Sequence, residues 1–245
     1  SATFSPEIKK LAQSLGSDLV EIAAQSPNTT VNAITQVVYH VDKDKKSALL
    51  SHLIESEQWP QALVFSRTKH GSEKIAKQLN ADGIQTATIH GDKTQGARTR
   101  ALREFKEKDV RVLVATDVAA RGIDIDQLSL VINYELPNVP ETYVHRIGRT
   151  GRASASGVAI SFCDESEIAY LQDIQKLIKQ DVPVIKGHEF ENESLEGELQ
   201  KKQFSKGGSK KSHSNQNKSG RPQGGRNNQR GQRPQRNSDN RQRNS

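Results

Sequence analysis

Short apolar runs rich in Val, Ile and Leu alternate along the chain with longer stretches in which apolar residues return every three or four positions. The runs lie at 34–41, 62–66, 85–89, 110–115, 128–134 and 158–162, and the helix-period stretches at 44–56, 69–81, 94–107, 140–147 and 166–179. Near-continuous apolar strands separated by helices predict βαβ units, hence an α/β domain with a parallel sheet covered on both faces. That domain spans 31–185.

Upstream, Ser5 and Pro6 read as an N-cap and first helical position, and Ile8, Leu11, Ala12 and Leu15 continue at helical spacing to Gly16. Residues 17–34 carry Pro27, Asn28, Thr29 and Thr30 without a sustained period, which predicts a connector and sets 1–30 apart. Downstream, 186–245 reads as a tail. From 201 it consists almost wholly of Lys, Arg, Gln, Asn, Ser and Gly, with Phe204 its only aromatic residue. Such a segment buries too little apolar surface to offset the entropy of ordering, so disorder is expected.

Charge divides the chain in the same place. Residues 201–245 hold 13 of the 36 Lys and Arg but one of the 29 Asp and Glu, Asp239, so this stretch carries +12 and the first 200 residues carry −5. A basic tail attached to a mildly acidic domain points to an anionic polymer as partner, with a solubilising extension as the plainer reading. One cysteine, Cys163, allows neither an internal disulfide nor a multi-cysteine zinc site. No apolar run approaches the roughly 18 residues needed to span a bilayer, and no membrane partner is expected. A cytoplasmic protein is therefore the expectation, and the absence of any methionine leads us to expect a piece of a longer one.

The densest chemistry is H-R-I-G-R-T-G-R at 145–152, where Arg146, Arg149 and Arg152 are interleaved with Gly148 and Gly151. Guanidinium forks match phosphate oxygens. Taken alone, the octamer could be a solvated basic loop. Just upstream, the run 110–115 ends in Thr116 and Asp117, at the carboxyl end of an expected parallel strand, where open α/β sheets bind ligands. Asp117 could be only a helix N-cap and Asp124 only a turn residue.

Together, 110–152 resembles motifs V and VI of the DEAD-box RNA helicases. Leu63 to Lys69 resembles motif IV, His90-Gly91-Asp92 the glycine-aspartate motif, Gln95 with Arg98 motif IVa, and Ser1-Ala2-Thr3 motif III. The Arg-Thr-Gly-Arg-Ala continuation at 149–153, a helix at 171–179 leading into Val182-Pro183, and the basic tail resemble the bacterial RhlE type. The resemblance covers roughly 1–185, and implies a RecA-like sheet forming the second of two lobes.

ATP is then expected between the lobes, with Arg149 and Arg152 on its γ-phosphate and Asp124 on the ribose. Thr68, Gly91, Arg98 and Thr116 match the positions that hold the RNA backbone without regard to sequence. Ser1, Thr3, His145 and Arg146 are expected to link the lobes. Neither a G-x-x-x-x-G-K-[ST] phosphate loop nor a D-E-A-D run occurs in these 245 residues. The resemblance assigns those elements, and the Mg²⁺ ligands, to the N-terminal RecA-like lobe, so the chain alone is expected to be inactive. A non-catalytic RNA-binding or annealing module and a DNA helicase of the wider superfamily stand as alternatives.

Lys93, Arg100 and Arg103 read as a solvated helix face, Trp59 as a packing residue, and Cys163 as a small buried hydrophobe. His40, His52, His70 and His188 lack metal spacing.

Overall fold

The computed structural model describes residues 34–57, 59–120, 125, 128–151 and 157–195, together with Lys10, Gln13 and Ser14, which are helical. The rest of the expected N-terminal helix, the connector and the tail from 196 lie outside the described residues.

Seven described strands form one sheet: β1 (Ile34–His40), β2 (Ala62–Phe65), β3 (Thr86–Ile89), β4 (Val112–Ala115), β5 (Leu130–Asn133), β6 (Gly157–Cys163) and β7 (Val184–Ile185). Their order is β3-β4-β2-β5-β6-β1-β7, and the pairings are parallel. Helices α1 (Lys46–Ser56), α2 (Lys69–Ala81), α3 (Gln95–Lys106), α4 (Asp117–Ala120), α5 (Pro140–Ile147) and α6 (Ile168–Ile178) connect them, α6 entered through a 3₁₀ turn at Glu165–Glu167. The six expected strands are all present within a residue or two of their limits, as are the five expected helices.

The pleat explains the layering. In β2, Ala62 and Val64 pack with Leu49, Leu53, Ile75 and Leu79 of α1 and α2, while Leu63 and Phe65 turn to Ala101 and Phe105 of α3 on the other face. Strands β4 and β5 divide their residues in the same way. A third cluster joins Val38 and Ala159 to Tyr143 and Ile147 of α5 and to Leu171, Ile174 and Ile178 of α6. Both faces of every central strand are thereby dry, which is why these strands read as unbroken apolar runs. Phe105, 1% exposed at the end of α3, closes one face; Phe105→Ala would cost about 3–5 kcal/mol.

Two boundaries differ from expectation. Strand β7 adds to the β1 edge, with Val38 N donating to Pro183 O at 2.8 Å. The lobe also continues past 185: Asn192 N donates to His40 O at 3.0 Å, Val41 bridges Glu191, Phe190 packs on the core, and Leu195 is 1% exposed. Residues 186–195 are therefore part of the folded lobe. Their apolar contacts are single residues spaced among charges, too sparse to register as a period.

Trp59 packs against the core and Cys163 is fully buried, its thiol pushed up to about 12 by desolvation. No helix among the described residues is long and apolar enough to cross a membrane.

Candidate functional site

Because β3, β4 and β2 are neighbours, the loops at their carboxyl ends form a row. Thr116 N donates to Ile89 O at 3.1 Å and Ser66 N to Ala115 O at 3.0 Å, so the three chains leave the sheet side by side. Thr68 ends the β2 loop as the N-cap of α2, and its Oγ1 accepts the Gly71 amide at 2.9 Å. Used in this way as an acceptor, the hydroxyl keeps its proton to offer to an anionic oxygen. Gly91 lies exposed in the turn after β3. Arg98, in the first turn of α3, donates from Nη2 to Ala119 O at 3.2 Å and so leans toward the loop after β4, where Thr116 sits. All four residues expected to hold a nucleic-acid backbone share this edge.

Carboxylates lock the row. Lys69 and Asp92 pair at 2.5 Å, joining α2 to the turn that carries Gly91. Glu73 accepts Thr88 Oγ1 at 2.8 Å, His90 Nε2 at 2.7 Å and Lys93 Nζ at 2.8 Å. Burial disfavours its charge, but the hydrogen bonds from Lys93, His90 and Thr88 outweigh that and hold its pKa at about 2. Lys93, expected on a plain solvated face, is thus engaged, whereas Arg100 and Arg103 are exposed.

Beside the row lies the arginine cluster. Helix α5 starts at Pro140 and presents Tyr143, Arg146 and Ile147 to the interior at spacings of three and four. Arg146 is 1% exposed. Its Nε and Nη2 grip Asp117 Oδ1 and Oδ2 at 2.6 and 2.8 Å, its Nη1 donates to Asn133 Oδ1 at 3.2 Å and Glu135 O at 2.7 Å, and its guanidinium lies 5.0 Å from the Phe65 ring centre. The expectation that Arg146 links this lobe to another is corrected: its donors are engaged inside the lobe, because α5 turns this position inward. Asp117 opens α4 and serves as the acceptor for that fork.

His145 and Arg149 are half-buried and line a small cleft with Phe65, Asp117, Ala120 and Thr142. The turn carrying Arg149 is fastened at several points. Gly148 N donates to Val144 O at 3.0 Å, Leu128 N donates to Arg149 O at 3.2 Å, and the Thr150 hydroxyl donates to Leu128 O. Gly151 has φ +69°, open to glycine at little cost. A Cβ on Gly157 would lie 2.1 Å from Thr150 Oγ1, so β6 must carry glycine where the turn crosses it. Asp124, Arg152, Ser1 and Thr3 lie outside the described residues.

Sequence reasoning missed an ionic cluster farther along the same edge. Lys46 is 1% exposed, yet it pairs with Asp164 at 2.8 Å and with Glu167, itself fully buried. Burial raises the pKa of Glu167 despite Lys46; for Asp164 the hydrogen bonds from Lys46 and Ser166 outweigh burial and lower it. One signal existed: Lys46 shares a helical face with Leu49, Leu50 and Leu53. Among the described residues, no group of three His, Cys, Asp or Glu could hold a metal ion.

Comparison with known proteins fits this geometry. The helicase conserved C-terminal domain matches residues 44–154. The DEAD-box ATP-dependent RNA helicase CshA of Bacillus subtilis is 40% identical over 200 residues, covering 82% of this chain and 40% of that protein. The ATP-dependent RNA helicase RhlB of Pseudomonas syringae is 42% identical over 176 residues, 72% of this chain and 44% of its own length. Among solved structures, the E. coli DEAD-box protein SrmB bound to the regulator of ribonuclease activity RraA superposes with a TM-score of 0.62 at 37% identity, covering 65% of this chain and 95% of that one. Dbp5 of S. cerevisiae, bound to RNA and ADP BeF3, gives 0.70 at 30% identity, covering 82% of this chain and 53% of that one. Fold and site together define a RecA-like helicase C-terminal lobe. More narrowly, the chain belongs to the DEAD-box RNA helicases. It spans about two fifths of the length of the curated relatives it matches.

Proposed function

We propose that this lobe works in the cytoplasm with an N-terminal RecA-like lobe as an ATP-dependent RNA helicase, closing on ATP and RNA to unwind or remodel short duplexes. One observation carries the reading. The row holding Thr68, Gly91, Arg98 and Thr116 and the cleft holding Arg149 lie on one sheet edge, divided by the Asp117–Arg146 pair. A hydroxyl, a glycine turn and a guanidinium suit sugar-phosphate oxygens of any sequence. The neighbouring cleft suits the γ-phosphate, where Arg149, with Arg152, would neutralise charge as the phosphoryl group passes to water.

The described residues do not fit Mg²⁺ at this cleft: both oxygens of Asp117 are held by Arg146. The ligands of Mg²⁺ would accordingly come from the other lobe. The finer likeness to the RhlE type rests on residues 149–153 and the basic tail.

The test is Arg149→Lys in the two-lobed enzyme. Lys keeps the charge but loses the planar fork, so hydrolysis should fall at least about a hundredfold with RNA affinity nearly intact. Unchanged hydrolysis with RNA binding lost would overturn the assignment of Arg149 to the γ-phosphate and place it on RNA instead.

A further inference from the structure

Motif IV leaves Ser66 and Arg67 without a role, although they immediately precede Thr68. The structure places both against one carboxylate. Glu135, at the carboxyl end of the neighbouring β5, accepts Ser66 Oγ at 2.9 Å and the Arg67 backbone N–H at 2.9 Å, and its other oxygen lies 3.5 Å from Arg67 Nη2. Its pKa is lowered: burial opposes the charge, but the Arg67 amide and Ser66 hydroxyl prevail.

Arg67 continues the chain inward. Its side chain, 31% exposed, reaches Glu167 at 3.5 Å and lies 5.7 Å from the Tyr170 ring centre. Glu167 is anchored in turn by Lys46 and by the Leu136 amide at 3.0 Å. The space beneath the loop is filled. A Cβ at Gly71 would stand 2.6 Å from Ser66 Oγ, 2.9 Å from Thr68 Oγ1 and 3.7 Å from Glu135 Oε2. The loop is therefore gripped by Glu135 on one side and by the first turn of α2 on the other.

We infer that Glu135 is a positioning residue for RNA: it fixes the 66–68 loop, with Arg67 as brace, so that the Thr68 hydroxyl faces the RNA backbone. Glu135 itself touches no RNA. It acts by removing from the free protein the loop arrangements that cannot bind, which would otherwise raise the apparent dissociation constant. Arg67 serves the same end through its own side chain, since that side chain turns toward Glu135 and Glu167. The inference rests on the RNA-helicase reading proposed above.

The experiment is RNA-stimulated ATPase of the two-lobed enzyme, read as KM for a single-stranded RNA against kcat. Glu135→Gln keeps the shape, and its one carbonyl oxygen can still meet Ser66 Oγ and the Arg67 amide, but the charge is lost and an NH2 group takes the place of the oxygen that faces Arg67 Nη2. KM for RNA should rise about tenfold, as the loop's hydrogen bonds lose their charge and Arg67 loses its ion pair, with kcat at saturating RNA within about twofold. A merely structural role would lower kcat or the melting temperature and leave KM in place. Arg67→Gln, a partly exposed change, is the second variant should Glu135→Gln fail to fold, and should raise KM in the same way. If Arg67 instead held RNA directly, Glu135→Gln would leave that contact intact and KM unmoved. Unmoved KM in Glu135→Gln, or in Arg67→Gln where only that variant folds, overturns the inference. A wild-type enzyme without RNA stimulation would instead overturn the helicase reading.

Discussion

Asp117→Ala should destabilise this chain by about 3 kcal/mol, with no second lobe present. The substitution removes two charge-assisted bonds, at 2.6 and 2.8 Å, from an arginine that is 1% exposed. Only Asn133 Oδ1 and Glu135 O remain to receive its five N–H groups. Breaking a buried pair by removing one partner costs about 3–5 kcal/mol, because the surviving charge stays desolvated. The lower end applies here, since the Asp117 side chain is 26% exposed and water can enter the vacated place. For a domain of this size each kcal/mol moves the midpoint by about 2–4 °C, so Tm should fall by about 6–12 °C. Differential scanning calorimetry of the 245-residue chain measures it. The double variant Asp117→Ala with Arg146→Met should lose clearly less than the sum of the single losses, as the stranded charge is gone. A fall below about 2 °C would refute the reasoning: Arg146 would then not depend on Asp117, and a role toward another lobe would return.

The remaining predictions concern pH and salt. Glu73 has a folded pKa of about 2 against an ordinary 4.5, so it contributes stability that is present above about 4.5 and lost as pH falls toward 2. Glu73→Gln should therefore have a flatter Tm-against-pH curve over that window than the unaltered chain; parallel curves would contradict the assignment. Removing 201–245 should flatten the salt dependence of RNA binding. A tail engaging about five phosphates contributes a slope near −3.5 in log affinity against log salt, and equal slopes with and without it would mean that the tail does not hold RNA.

The sheet was legible because its strands are buried on both faces and its helices keep their period, so local pattern and tertiary environment agree. Strand β7 was not, since two half-buried residues carry no period; residues 186–195 escaped for the same reason. Thr68, Gly91, Arg98, Thr116 and Arg149 were singled out through motif order, and the structure puts them on one edge. Arg146 was misread because the same motif supplies arginines of both kinds, and only the direction in which α5 faces distinguishes them. Glu73, Glu135 and Glu167 went unnoticed because the partners that give them their place, Thr88, Ser66 and Lys46, are 15, 69 and 121 residues away in sequence. A carboxylate that holds a distant loop leaves no local signature.

The geometry of that edge also constrains how the lobe can move. Thr116 and Asp117 are consecutive, and Arg146 and Arg149 are three residues apart, so a single largely buried ion pair spans the distance between the row holding Thr68 and Thr116 and the cleft holding Arg149. A shift of the loop after β4 relative to α5 must either carry the arginine turn with it or open the Asp117–Arg146 fork, at the cost of about 3 kcal/mol argued above. That cost far exceeds thermal energy and is comparable to the typical 1–3 kcal/mol coupling between two ligand sites. The row and the cleft are consequently expected to travel as one body. If the row holds RNA and the cleft holds ATP, as proposed above, the movements that bring the two together occur between this lobe and another rather than within this sheet edge.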